Sequence, residues 1–180
     1  IRDRYEAPIP ACLSGVVRGN FPSFFRKTDQ ERIQNLKKDL EKWKTAKYTW
    51  EVTEKLDGSS CSMYFNNGEF GVCSRNLDLK LDENNTFWRM ALAYDVEDQL
   101  RDLAEDGEIL NIAIQGEVIG EGIQGNPYKI KGQRFYIFDI FDIDRQEYWE
   151  ANERRELATF LKIPNVPVVD SACLLYTSPS

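Results

Sequence analysis

The spacing of apolar residues along the chain predicts strands with helices between them. After position 28, apolar residues recur three and four positions apart, which predicts a helix with one buried face. Thr28 can cap this helix, with Glu31 three positions later. From Tyr48 to Leu56 the period changes to two, which predicts a half-buried strand. The apolar positions of the helix are Ile33, Leu36, Leu40 and Trp43.

The same two periods continue through the rest of the chain. Strand-like runs over 60–65 and 69–74 flank Asn66-Asn67-Gly68, which is typical of a hairpin. The other predicted elements are helices over 86–105 and 150–161, strands over 112–119, 135–143 and 166–169, and a Gly-rich loop over 120–133. Because strands dominate and hairpin order replaces strict strand-helix-strand alternation, we expect an α+β fold with mainly antiparallel sheets and flanking helices.

The composition excludes several kinds of active site. The 180-residue chain has no histidine, which excludes Ser-His-Asp and Cys-His nucleophiles and histidine-bound zinc or haem. Its four cysteines lack zinc-binding spacing, so we expect them to be reduced and mostly buried. No apolar run is long enough for a membrane span, so we expect a cytoplasmic protein that does not contact membranes.

Charge is distributed unevenly along the chain. The first 50 residues carry 11 basic and 6 acidic side chains, whereas the rest carry 12 and 24, for a net charge of −7. The basic part can face a polyanion. Charge alone favours the simpler interpretation that its lysines form the solvated face of the predicted helix. These lysines are Lys37, Lys38, Lys42, Lys44 and Lys47.

Lys55 is the first candidate catalytic residue. It lies near the end of the predicted strand 48–56, and Asp57 and Gly58 then turn the chain, which places the amine at the rim of a cleft. To act as a nucleophile, the amine must lose its proton, which burial or neighbouring cations such as Arg75 or a metal ion would favour. A single lysine is more often a surface residue in a salt bridge, so the assignment depends on other segments.

Four segments occur in the order found in one enzyme superfamily. Residues 54–58, Glu-Lys-Leu-Asp-Gly, resemble the Lys-x-Asp-Gly nucleophile motif of the covalent nucleotidyltransferases, which include ATP-dependent ligases and mRNA capping enzymes. Residues 74–76 resemble the arginine motif of RNA ligases, 116–120 the glutamate motif and 135–140 the motif whose phenylalanine stacks on adenine. Together they resemble ATP-dependent RNA ligases of the RNA ligase 2 type.

This resemblance implies a nucleotidyltransferase (ATP-grasp-like ligase) domain with ATP and Mg²⁺ or Mn²⁺ as cofactors. Lys55 would attack the α-phosphorus of ATP to form lysyl-AMP, and Arg75 would bind phosphate. Glu117 would bind the ribose, and Phe138 would stack on the adenine. AMP would then pass to an RNA 5′-phosphate, and a 3′-hydroxyl would seal the nicked duplex. A monomer is expected. The other expected nucleotide-binding residues are Glu54, Asp57 and Ser60.

The resemblance also predicts how the chain is organised. Phe21 to Asn35 resembles the lead-in of bacterial RNA ligases with an N-terminal OB-fold module, so residues 1–27 are expected to be an irregular link to that module. The adenylyltransferase domain is expected to span 28–172. It is expected to be incomplete and weakly active or inactive, because a Glu-Gly-x-Val-x-Lys segment and a final lysine pair do not follow Asp139. Residues 173–180 break the pattern and form a suspect tail.

Several alternatives stay open. Taken singly, Arg75 fits an exposed hairpin end, Phe138 fits the core, and Glu117 fits an ordinary pair with a lysine. An mRNA capping guanylyltransferase or a DNA ligase would use the same lysine chemistry. A non-enzymatic nucleic-acid-binding module would use the lysines of the predicted helix rather than Lys55.

Overall fold

A seven-stranded antiparallel sheet forms the centre of the computed structural model, which describes residues 10, 13, 15–28, 33–45, 50–107 and 111–170. The strands are β1 (Val17–Asn20), β2 (Val52–Thr53), β3 (Ser59–Asn66), β4 (Glu69–Ser74), β5 (Leu77–Leu79), β6 (Ile112–Gly120), β7 (Gln133–Asp142), β8 (Glu147–Tyr148) and β9 (Val168–Asp170). The helices are α1 (Lys37–Thr45), α2 (Thr86–Ala93), α3 (Val96–Glu105) and α4 (Ala151–Phe160). The large sheet has the order β1-β5-β4-β3-β6-β7-β8, and β2 pairs with β9 in a second sheet. The predicted α+β class with mainly antiparallel sheets is confirmed.

The two faces of the large sheet bury different sets of side chains. Because successive strand residues point to opposite faces, Met63 lies on one face of β3 and Tyr64 on the other. The Met63 face packs against α2, α3 and α4 and forms the main core. The Tyr64 face carries a smaller, aromatic cluster that includes Phe21 and Phe25. The buried Cys61 and Cys73, one on each face, are free thiols as predicted, whereas Cys12 and Cys173 lie outside the described residues.

Residues 21–28, which we call the strap, cross the Tyr64 face of the sheet. The Phe24 ring lies 5.2 Å from the Tyr64 ring in an edge-on contact. Two glutamine side chains hold the main chain of the strap: Gln146 donates to the Phe24 carbonyl at 2.8 Å, and Gln115 donates to the Arg26 carbonyl at 2.6 Å. The prediction of irregular structure through residue 27 is wrong at β1, which pairs with β5. The link to a further module stays a prediction.

The N-terminal helix and the strand after it differ from the prediction. A 3₁₀ turn over Ile33–Asn35 precedes α1, which begins only at Lys37. The Thr28 hydroxyl shares a hydrogen bond with Ser60 of β3, and residues 29–32, where the predicted helix would begin, lie outside the described residues. The predicted strand 48–56 is reduced within the described residues to the two residues of β2, and positions 46–49 lie outside them.

The predicted helix over 86–105 is two helices, α2 and α3. Asn85 caps α2 by accepting a hydrogen bond from the Phe87 N–H at 2.9 Å. The helical conformation is interrupted at Tyr94 and Asp95, where Asp95 has φ 48°. This change of direction lets both helices lie on the sheet. The hairpin of β3 and β4 and the helix α4 are confirmed. Among the described residues, no helix combines the length and apolarity needed to cross a bilayer.

Candidate functional site

Lys55 lies in the turn that connects the small sheet to the large one. It follows β2 and precedes β3, and its side chain is exposed. The next residue, Leu56, is buried against Ile119 and Val166. On the other side, the main-chain N–H of the exposed Glu54 donates to the Pro167 carbonyl at 2.8 Å. The segment is therefore fixed on both sides of Lys55, while the Lys55 side chain itself is exposed.

Gly58 explains why the motif needs a glycine after its aspartate. Its Cα lies so close to β6 that an added Cβ would be 2.3 Å from the Val118 carbonyl oxygen and 2.7 Å from the Ile119 Cγ2. Any larger residue would push the turn away from β6. The Gly58 N–H also donates to Glu117 Oε1 at 3.1 Å, which joins the nucleophile turn directly to the glutamate motif.

Glu117 is the point at which several predicted site residues meet. It lies on β6 directly opposite Ser60 of β3. Burial raises the pKa of Glu117, whereas the positive charges of Lys55 and Arg75 and the Gly58 N–H act in the opposite direction. The negative charge of Asp57 adds to the increase. Lys55, Asp57 and Arg75 are therefore close enough to act electrostatically on this one carboxylate.

Replacing Glu117 with glutamine is expected to increase the free energy of unfolding at pH 7. Because burial raises the pKa of Glu117, the folded state binds its proton more tightly than the unfolded chain, and ionisation at neutral pH weakens the fold. Glutamine removes this cost and still accepts the Gly58 N–H. We expect a gain of less than about 1 kcal/mol, since water screens a half-buried carboxylate, and no gain below about pH 4. Urea denaturation at both pH values would measure it, and a less stable variant at pH 7 would contradict it.

Two further residues contact the site but do not belong to the predicted set. Tyr128, in the predicted Gly-rich loop, accepts a hydrogen bond from the Asp57 N–H through its hydroxyl at 2.7 Å. Thr28 of the strap shares a 2.9 Å hydrogen bond with the hydroxyl of Ser60. Both contacts join residues far apart along the chain, so local sequence patterns carry no signal for them. The sequence feature that could have drawn attention to Tyr128 is an aromatic side chain in a loop rich in glycine.

Arg75 lies directly after β4 and is exposed. The neighbouring Asn76 fixes this corner: its carbonyl accepts from the Phe21 N–H at 2.9 Å, and its side chain accepts from the Lys27 amine at 3.2 Å. The strap thus brings a second cation, Lys27, next to the arginine motif. A planar guanidinium with an adjacent ammonium is suited to binding phosphate oxygens.

Phe138 occupies a bulge in β7. Gln115 of β6 pairs with Asp139, but the next residue, Gly116, pairs with Ile137, so Phe138 is the extra residue. Its partly buried ring packs with the cluster that contains Leu56. The bulge therefore places the Phe138 ring against the cluster that contains Leu56, the residue that follows Lys55.

The lysines of the predicted basic helix whose side chains the structure describes lie on the surface of α1. Lys37 and Lys38 on α1 are exposed, and the Lys42 amine lies 3.9 Å from Asp39 on the same helix. These contacts fit a solvated helix face, as charge alone favoured. The side chain of Lys44 and all of Lys47 lie outside the described residues.

The comparisons with known proteins agree with this geometry. A family model described as RNA ligase matches residues 48–175. An apo mutant of Naegleria gruberi RNA ligase is 42% identical, with a TM-score of 0.82, over 96% of this chain and 50% of that chain. A mutant of the same protein with ATP and Mn is 42% identical, with a TM-score of 0.82, over 97% of this chain and 52% of that one. The chain thus spans about half the length of the structures it matches. A comparison with curated proteins found no match.

Proposed function

We propose, from the premise that this chain belongs to the RNA ligase family, that its site binds ATP and forms a lysyl-AMP intermediate for joining RNA ends. The observation that carries the proposal is the convergence on Glu117, whose carboxylate binds the N–H of the nucleophile motif and interacts electrostatically with Lys55 and Arg75. The similar Naegleria gruberi RNA ligase has been solved with ATP and Mn and with AMP and Mn. These are the substrate and the nucleotide that such a site would hold before and after adenylyl transfer.

The first step forms a bond between the Lys55 nitrogen and the α-phosphorus of ATP. The ammonium group first loses a proton, the P–N bond forms, and the bond from the α-phosphorus to the bridging oxygen breaks, so that pyrophosphate leaves. Arg75 supplies charge to the phosphates. Asp57 and Glu117 would offer carboxylate oxygens to Mg²⁺ or Mn²⁺, and a bound ion would neutralise charge on the phosphates.

The nucleoside would lie between the glutamate motif and the bulge in β7. Glu117 can accept hydrogen bonds from ribose hydroxyls, and the Phe138 ring offers a flat apolar surface to the adenine. The AMP then passes from Lys55 to the 5′-phosphate of an RNA, and a neighbouring 3′-hydroxyl attacks that activated phosphate and releases AMP. A nicked duplex would hold the two ends in this geometry, and a monomer suffices for it.

Labelling with ATP tests the first step. The chain is incubated with ATP labelled at the α-phosphate and Mg²⁺ or Mn²⁺, digested and mapped by mass spectrometry. We expect slow formation of AMP attached to Lys55, with at least about tenfold less product from GTP, because the pocket is proposed to select adenine. Label on another residue, or no label, would contradict the proposal, and preference for GTP would favour a capping guanylyltransferase.

Sealing is tested separately with a pre-adenylylated strand. The chain is given a nicked duplex whose 5′-phosphate already carries AMP, so that Lys55 chemistry is bypassed. Ribose and deoxyribose versions of each strand are compared. Sealing that requires RNA at the nick supports RNA-end joining, whereas equal or better sealing of an all-DNA nick would favour a DNA ligase.

A further inference from the structure

We propose that Arg154 of α4 is a positioning residue that holds the Phe138 ring, the proposed adenine platform, at a fixed place relative to the Lys55 turn. This rests on the proposed nucleotide site, because it concerns how that site is kept in shape. Arg154 is a charged side chain only 7% exposed, at a place where its own helix meets β7 and the chain leading to β2. A buried guanidinium needs several partners to offset its loss of water, and each of those found here belongs to a segment of the site.

The first contact is with the bulge in β7. Arg154 Nη1 donates to the Phe138 carbonyl oxygen at 3.0 Å. Since Phe138 is the extra residue of the bulge and has no pairing position opposite it in β6, this bond replaces a missing sheet contact. The orientation of the Phe138 peptide, and with it the direction of the ring, then depends on Arg154.

The second contact is with the chain that enters the nucleophile turn. Glu51, one residue before β2, pairs through one carboxylate oxygen with Arg154 and through the other with Arg155. Glu51 is nearly buried, with 11% of its side chain exposed. The Arg154 guanidinium therefore contacts two parts of the site. One of its nitrogens binds Glu51, four positions before Lys55, and another binds the Phe138 carbonyl.

A third contact completes the arrangement. Arg154 Nε donates to the Asn165 side chain at 3.3 Å. The segment around Asn165 bridges the same two parts of the site: Ile137 exchanges hydrogen bonds of 2.8 Å with Pro164 and Val166, and the Pro167 carbonyl accepts from Glu54. The guanidinium thus fixes a loop that contacts both the bulge and the nucleophile segment.

The geometry requires arginine rather than a positive charge alone. A guanidinium presents five N–H groups in one rigid plane, so it can bond Phe138, Glu51 and Asn165 at the same time. A lysine ammonium also has three N–H groups, but all three lie on one nitrogen, so it cannot span partners that here bond the separate Nε, Nη1 and Nη2 atoms. Arg155 provides the comparison within the same chain, because it pairs with the same Glu51 but bonds neither the Phe138 carbonyl nor Asn165.

The test compares Arg154→Lys with Arg155→Lys in the ATP labelling reaction. For each variant the rate of lysyl-AMP formation is measured against ATP concentration. We expect Arg154→Lys to raise the half-saturating ATP concentration about tenfold, which is ~1.4 kcal/mol, and to change the maximal rate by less than about twofold. Arg155→Lys should leave both values unchanged. A loss of folded protein alone would lower the maximal rate and leave the half-saturating concentration as it was.

A double-mutant cycle with Phe138→Ala shows whether Arg154 acts through the platform. If it does, adding Arg154→Lys to Phe138→Ala should raise the half-saturating concentration no further. The proposal would be overturned if the two substitutions together raised the half-saturating ATP concentration by the product of their single effects. It would also be overturned if Arg154→Lys left that concentration unchanged. In both cases, wild-type labelling at Lys55 would still support the proposed function. No labelling of the wild type would instead refute the function itself.

Asn165→Ala provides a second variant if circular dichroism shows that Arg154→Lys does not fold. It removes a neutral partner of Arg154 and leaves the buried charges paired. We expect a rise of about threefold in the half-saturating ATP concentration, again with little change in the maximal rate. An Asn165→Ala chain that is folded and saturates at the wild-type ATP concentration would overturn the proposal.

Discussion

Lys55→Ala is expected to abolish AMP labelling, by at least about a thousandfold, without unfolding the protein. The side chain is exposed, so its removal leaves no cavity and breaks no core contact. The neighbouring Leu56 and Glu54 keep the turn in place through their own contacts. ATP binding should persist at reduced affinity, because the other proposed nucleotide contacts remain. Mass spectrometry measures the label, and a thermal melt checks the fold.

Two control variants, Lys55→Arg and Lys38→Ala, test whether the loss of labelling is due to the Lys55 amine itself. Arginine keeps the charge but stays protonated, so it should be as inactive as alanine. Lys38 is an exposed lysine on α1 and belongs to none of the motif segments, so its replacement should leave labelling unchanged. If the chain instead works as a non-enzymatic RNA-binding module, Lys38→Ala would weaken RNA affinity in a salt-dependent way and Lys55→Ala would not. Label retained in Lys55→Ala would refute the assignment of the nucleophile.

Gly58→Ala is expected to have the second-largest effect. The added methyl group would meet a main-chain oxygen of β6, an interior strand between β3 and β7, at 2.3 Å. This oxygen cannot move without distorting the sheet, so the turn that carries Lys55 must shift. We expect a loss of about 1–3 kcal/mol in the free energy of unfolding and a roughly hundredfold slower labelling reaction.

Gly19→Ala is the matched control. Gly19 lies in β1 of the same sheet, and an added Cβ there would meet nothing within 4 Å. The free energy of unfolding of Gly19→Ala should differ from that of the wild type by less than about 0.5 kcal/mol, and its labelling rate should be unchanged. The two variants are compared by urea denaturation and by the initial labelling rate. Equal behaviour of Gly58→Ala and Gly19→Ala would contradict the close approach of the motif glycine to β6.

Local patterns predicted the elements whose signals are local. The β3–β4 hairpin has a turn suited to positive φ at Asn67 and Gly68, and α4 begins with a reciprocal cap between Glu150 and Glu153. The break between α2 and α3 has no such signal, because Asp95 adopts φ 48° without an adjacent glycine or proline. Packing of both helices on the sheet determines that break. Sequence periodicity alone therefore predicted α2 and α3 as one continuous helix.

The candidate site likewise contains residues that the sequence predicts and residues that it does not. The motif residues were predictable because the family resemblance fixes their types and their order, and the structure brings Lys55, Asp57, Arg75 and Glu117 together. The supporting residues were not predictable, since each acts through a partner distant in sequence. Arg154 looks like one more charged position on a helix, and its burial becomes visible only when β7 and the chain before β2 are in place.

The pairing of β2 with β9 has a consequence for the order in which the protein is made. Glu51 and Arg154 are 103 positions apart, and the strand that precedes Lys55 has its partner in the last strand that the structure describes. During synthesis, the nucleophile segment therefore leaves the ribosome long before the segments that hold it in place. The hairpin of β3 and β4 can form early, whereas the candidate site can close only after β9 has been made. A nascent chain would thus form this hairpin before its proposed nucleotide site is complete.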